Sequence, residues 1–145
     1  MSNVIIGYTV NTLNCLMFTI PAQSGIYTLI IEVARPIRVE VGQKGLKNFK
    51  LGFYTYTGSA IGQFISLKTR ISRHLQSEKK NYWHIDYLLD EHDVDIRAVI
   101  CLETHSNREC TIAKSLENLV DTQILVKGFG SSDCQNADTP ILETG

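Results

Sequence analysis

Gly25-Ile26-Tyr27, Tyr56-Thr57-Gly58-Ser59-Ala60 and Arg70-Ile71-Ser72-Arg73-His74 are three blocks of one stretch, residues 25–74, on which the reading of this chain turns. The run from Ile26 to Ala34 is rich in β-branched and aromatic residues, as in a strand. Phe53-Tyr54-Thr55-Tyr56-Thr57 is a second strand. Alternation puts Tyr54 and Tyr56 on one face and Phe53, Thr55 and Thr57 on the other. Gly58-Ser59-Ala60 reads as a turn into a helix over about residues 62–76. Phe64, Leu67, Ile71 and Leu75 recur at three or four residues and mark its buried stripe. Arg70 and His74, four apart, share a line on its polar side, with Arg73 beside them. Tyrosines on strands beside a cationic helix form a surface suited to a phosphodiester.

Working outward, Pro36 breaks the first strand, and Ile37-Arg38-Val39-Glu40-Val41 alternates like a half-buried one. Gly42 to Gly52 carries three glycines and three lysines (Lys44, Lys47, Lys50) and reads as a mobile basic loop. Short strands are expected before Pro21. Trp83-His84-Ile85-Asp86-Tyr87-Leu88-Leu89 reads as a short helix, in which His84 and Asp86 are structural. An acidic link leads to a strand over Ile96–Leu102. Ser106 or Asn107 caps a helix reaching about Val120, with Ile112 and Leu116 in its core stripe. Ile124-Leu125-Val126 is read as the last strand, and the tail over residues 135–145 as loose. The fold class is α/β (α+β): a small, mostly antiparallel sheet flanked by helices, one domain over residues 1–134 with its core in 25–134.

The 145 residues suffice for one domain with a hydrophobic core, and 43% apolar with 20% charged residues fits a soluble protein. Met1-Ser2-Asn3 lacks a basic secretory start and no apolar run reaches a membrane span, so the expected compartment is the cytoplasm, without membrane contact. Cys15, Cys101, Cys110 and Cys134 are widely spaced, which argues against a zinc ribbon or a disulfide framework. The net charge is −1 but unevenly spread: residues 35–80 balance at +8 and residues 81–145 at −8. Such asymmetry marks either a polyanion-binding face or an ordinary dipolar surface.

With these blocks the chain resembles the GIY-YIG nuclease superfamily, and within it the DUF123 domains, found alone or fused to endonuclease III-type DNA-repair glycosylases. The closer match rests on Phe53 to Ala60, Trp83 to Leu89, Glu109-Cys110 and Gly128-Phe129-Gly130-Ser131-Ser132-Asp133-Cys134. The chain departs from the pattern in the long separation of Tyr27 and Tyr56, in the long segment before Arg70, and in a tail without the branch's His-Leu-aromatic ending. The resemblance implies a metal-dependent nuclease acting on DNA, possible partnership with a repair glycosylase, and one Mg²⁺ or Mn²⁺ ion.

It also implies site residues. Tyr27 orients or deprotonates water, with Tyr56 in support. Because an ordinary tyrosine titrates near 10, a neighbouring cation is needed for the base role. Arg70 grips two phosphate oxygens at once. His74 relays a proton or contacts phosphate, and Glu109 holds the ion. Lys44, Lys47, Lys50, Arg73, Lys79 and Lys80 would bind nucleic acid. Each residue has a plainer reading: tyrosines packed in a sheet, arginines on a solvated helix face, and Glu109 closing the capping box Ser106-Asn107-Arg108-Glu109. Two rival functions stand beside the nuclease. One is a catalytically weak nucleic-acid-binding module that acts with a partner enzyme, and the other an interaction domain that uses its acidic half.

Overall fold

The computed structural model describes residues 4–6, 20–106, 122–126 and 141–144. Its centre is β2 (Gly25–Val33), which pairs antiparallel along its whole length with β5 (Gly52–Ala60) on one side and β6 (Val94–Glu103) on the other. The expected strand is present, and its run of apolar side chains reflects a position with neighbours on both edges. β1 (Val4–Ile6) extends the sheet beyond β6. β8 (Ile141–Thr144) and β7 (Thr122–Val126) extend it beyond β5, giving the order β1-β6-β2-β5-β8-β7. Every described pairing is antiparallel. The fold is α+β.

Register decides which side chains share a face, because directly paired residues point the same way. Tyr27 faces Gly58 and Cys101, Leu29 faces Tyr56 and Val99, and Ile31 faces Tyr54. These residues join Leu67 and Ile71 of α1 (Leu67–Leu75) and Ile85 and Leu88 of α2 (His84–Leu89) in one core. The alternation read from the sequence for β5 is correct, with Tyr54 and Tyr56 both buried on that face. On the opposite face the hydroxyls of Thr28 and Thr57 hydrogen-bond at 2.9 Å. A bulge in β6 opposite Ile30/Ile31 sets Arg97 out of register, and its guanidinium bonds Glu32.

Four local expectations need correction. The expected mobile loop from Gly42 is a hairpin: β3 (Ile37–Glu40) pairs with β4 (Leu46–Phe49) across a 3₁₀ turn at Gly42–Lys44. Its one fully buried β4 side chain, Phe49, packs edge-on against Tyr54 at 5.6 Å and anchors the hairpin to the core. Next, Gly58-Ser59-Ala60 is no turn, since β5 runs on to Ala60, opposite Gly25. The helix then begins at Leu67, not near residue 62, with Ser66 and Thr69 forming its cap. Phe64 therefore leaves the stripe. It has φ 65° and is 94% exposed. Finally, part of the expected loose tail is β8, and Ile124–Val126 lies in β7, which is not the last strand. The helix expected over residues 106–120 lies outside the described residues. No described helix is long and apolar enough to cross a membrane.

Candidate functional site

Two glycines set how closely the elements approach. A Cβ on Gly25 would lie 2.7 Å from Leu67 Cδ1 and closer still to the Leu102 carbonyl, so only glycine lets α1 settle on this end of β2. The first backbone N–H groups of α1 are also tied down: Leu67 donates to the Gln23 carbonyl at 2.9 Å and Lys68 to that of Pro21 at 3.0 Å. A Cβ on Gly58 would fall 2.5 Å from the Tyr27 hydroxyl oxygen. Gly58 serves this close approach, so the Tyr27 ring lies across the neighbouring strand.

Helix α1 then delivers His74. Leu67, Ile71 and His74 follow one another at four and three residues and are all buried, so His74 belongs to the inward line and not to the polar side expected. Its Nε2 meets the Tyr27 hydroxyl at 2.7 Å. The Tyr56 ring stands edge-on to the imidazole at 5.9 Å, and the Trp83 ring lies 5.6 Å away. Burial above all, helped by Arg73, Lys79 and Arg70 and opposed by Asp86, pushes the His74 pKa down to about 3. At neutral pH the ring is uncharged. Its Nδ1 is buried and has no hydrogen-bond partner among the described residues.

The arginines beside it differ in their partners. Arg73 forks onto Asp86, with Nη1 donating to Oδ1 at 2.9 Å and Nη2 to Oδ2 at 2.8 Å. Asp86 is fully buried and also accepts the backbone N–H groups of Tyr82 and Trp83, which fixes the start of α2. Burial alone would raise its pKa, but Arg73 and the two N–H groups outweigh it and hold the carboxyl below its usual range. The hydrogen bond to Asp86 correspondingly raises Arg73, with smaller contributions from Tyr27 and Tyr56, whose rings lie within its field. Both guanidinium carbons sit over the Trp83 ring, Arg73 at 4.0 Å and Arg70 at 4.7 Å.

Tyr27, Tyr56, Arg70 and His74 are thus brought together by β2, β5 and α1. Arg73 is at the site too, but its fork is committed to a carboxylate. Lys79 donates to the carbonyls of His74 and Gln76 and closes the C-terminal end of α1, while burial lowers its pKa. Lys80 is exposed. Lys44 lies near enough to His84 to help burial depress that ring's pKa, so the hairpin rests beside α2. Lys47 is half-exposed and Lys50 exposed on the same hairpin. Glu109, Ser132 and Asp133 lie outside the described residues.

Sequence reasoning gave Asp86 and Trp83 no functional part. The available signal was positional: Asp86 stands three residues after Trp83 at a helix start, where an acid bonds back to the backbone. Its pairing with Arg73 is non-local and leaves no periodic trace. Cys101 is a buried thiol raised to about 11, by burial first and Glu103 second.

Comparison with known proteins gives one result. No curated protein and no solved structure matches the chain. The profile of the family described as "Domain of unknown function DUF123" matches residues 26–142. That span takes in β2 from Ile26 on, the hairpin, both described helices and every residue of the cluster around His74, and the chain belongs to the DUF123 family.

Proposed function

We propose that this protein is a metal-dependent nuclease of the GIY-YIG type that hydrolyses phosphodiester bonds in DNA. The observation that carries the reading is the 2.7 Å contact between the Tyr27 hydroxyl and a buried, neutral His74, with Arg70 close by on Trp83. A phosphodiester needs an oriented water and a fixed cation on its phosphoryl oxygens. Arg70, half-exposed, supplies the cation, and its fork suits two oxygens at once. Tyr27 supplies the oxygen that orients the water.

The pKa of about 3 decides the part of His74. Held neutral by burial, the ring carries no resting proton to relay at neutral pH. Its Nε2 is already engaged by the Tyr27 hydroxyl at 2.7 Å, so the ring acts through Tyr27. His74 is a positioning residue: a neutral imidazole that fixes the Tyr27 hydroxyl. Arg73 acts likewise, holding the Trp83 ring against which Arg70 lies.

The described residues do not by themselves offer a place for a dication. They contain no cluster of three metal-ligating side chains, and the Asp86 oxygens are already taken. The ion would depend on Glu109, which lies outside the described residues, and on water. When bound, such an ion neutralises phosphoryl charge. This shortage of a free carboxylate is the one observation favouring the alternative, a nucleic-acid-binding module of the same fold acting with a partner enzyme.

Labelled single-stranded, duplex, flap and abasic DNA, incubated with Mg²⁺, Mn²⁺ or EDTA, tests the proposal. Metal-dependent nicking that falls at least 100-fold in Arg70→Lys is expected. Glu109→Gln separates the two readings, because a capping glutamine serves almost as well as glutamate whereas a neutral amide is a poor ligand for a hard dication. Binding without cleavage under every metal condition would leave the binding module as the surviving reading.

A further inference from the structure

Two large aromatic side chains near the cluster are left in solvent. Tyr82 is 78% exposed, and its ring stands edge-on to Trp83 at 5.9 Å. Its backbone N–H is held at 2.9 Å by buried Asp86, so the residue is exposed on a fixed base and not on a loose loop. Phe64 is 94% exposed at φ 65°, the one described residue other than glycine with positive φ. A phenylalanine gains nothing from that backbone, which glycine or asparagine tolerates far better. Strain of this kind persists where something other than stability needs the side chain.

Their positions relative to Arg70 give the exposure a meaning. Phe64 lies two residues before the cap Ser66, and the Arg70 N–H donates to the Ser66 carbonyl, so Arg70 is one turn into α1. Tyr82 is placed by Trp83, whose ring it meets edge-on and both arginines overlie. Arg70 thus shares the Trp83 ring with one exposed aromatic and has another just before its helix. Intact duplex keeps its bases stacked on one another, so their faces are not available to such rings. An unpaired base has a free π-face, and aromatic side chains in cationic surroundings are the usual platform for it.

We infer that Tyr82 and Phe64 stack on unpaired nucleobases flanking the phosphate held by Arg70, so that the substrate class is single-stranded or locally unpaired nucleic acid. The inference rests on the proposed nuclease reading for the phosphate at Arg70, but base stacking is measured by binding and is independent of cleavage. A protein partner docking on the same rings is the competing use of this surface.

The test measures Kd for a single-stranded oligodeoxynucleotide and for its duplex by fluorescence anisotropy at one fixed salt concentration, with EDTA present to prevent cutting. For Tyr82→Ala, the preference for single strand over duplex should fall about tenfold, within the range for loss of one base–aromatic stack. Tyr82→Phe, which keeps the ring, should retain the preference. Phe64→Gly should raise Tm by relieving the backbone and yet lower the preference, a combination that a merely structural residue does not give. Trp83 is the only tryptophan of the chain, so quenching of its emission by the single strand, lost in Tyr82→Ala, gives a second readout.

An unchanged preference in Tyr82→Ala overturns the inference, as does failure of the wild-type protein to bind single strands. Stacking-dependent binding without cleavage under any metal condition would sustain the inference and remove the nuclease. Metal-dependent cleavage with no aromatic dependence of binding would do the reverse.

Discussion

Arg73 and His74 are adjacent in sequence, on one helix, and their partners are satisfied to different degrees. The Arg73–Asp86 pair is closed: both carboxylate oxygens are bonded, and two backbone N–H groups complete the set. The Tyr27–His74 pair is open, with one imidazole nitrogen bonded and the other buried without a partner among the described residues. A closed buried pair fixes geometry and leaves no group over for a ligand. An open one carries an unmet hydrogen-bonding need, which costs stability and is tolerated where chemistry requires it. The pairs lie against the same tryptophan, so the closed pair serves as the rigid mount for the open one.

Breaking the closed pair should have the largest effect. Asp86→Ala leaves the Arg73 charge without its partner and frees the start of α2. Removing one member of a buried pair costs about 3–5 kcal/mol, and the lower end applies because the Arg73 side chain keeps 26% exposure. Tm should fall by about 10 °C for a chain of this size, as read by thermal melting. A loss below about 1 kcal/mol would show that the pair is not the mount described.

The pairs should also separate by pH. His74 has a lowered folded pKa, so the unfolded chain takes up its proton first as pH falls. Its contribution is fully present above about pH 6.5 and is lost progressively down to about pH 3. The slope approaches about 1.4 kcal/mol per pH unit within that window. Asp86, also lowered, gives a contribution lost only below the ordinary carboxylate range, about pH 4. Denaturant melts of wild type and His74→Gln between pH 7 and 4 check this. The glutamine variant should lose most of the slope, and an unaltered slope would assign it to other groups.

Tyr27→Phe should have a smaller effect on stability, about 1 kcal/mol, because it removes one buried hydrogen bond while keeping the ring. Its effect on cleavage should be far larger, at least 100-fold. Equal small losses in both would make Tyr27 a packing residue and close the distinction between the pairs. Lys79→Ala should cost a few tenths of a kcal/mol through the helix C-terminus, and it should reduce the salt dependence of DNA binding only if Lys79 also reaches phosphate.

The strands that carry Tyr27 and Tyr56 were legible because period-two alternation and β-branched runs are local signals. Helical spacing was a weaker guide to what it marked. Phe64, Leu67, Ile71 and Leu75 fit one stripe and Leu67, Ile71 and His74 another, and spacing alone does not say which is inward. Hydropathy favoured the first, and the fold uses the second because Tyr27 gives a buried imidazole a partner. The helix start was written in Ser66 and Thr69 but masked by the apparent turn at Gly58. That glycine answers to a ring on another strand, which no local pattern reveals. β4 was hidden by the lysines and glycines around it, since a four-residue strand with one core side chain has hardly any period to detect. Arg73–Asp86 bridges two helices, and no spacing rule links them.

The 2.5 Å distance from a Cβ on Gly58 to the Tyr27 hydroxyl has a consequence for inheritance. The two short signatures that hold these residues occupy one another's space, so they mutate as a single unit. Gly58→Ala alone should be poorly tolerated, and the most direct second-site suppressors should arise at Tyr27, through side chains that shorten or leave the ring position. Those same suppressors would discard the hydroxyl that His74 holds. A lineage passing through that route would regain a stable sheet and lose the oriented oxygen, with no easy way back.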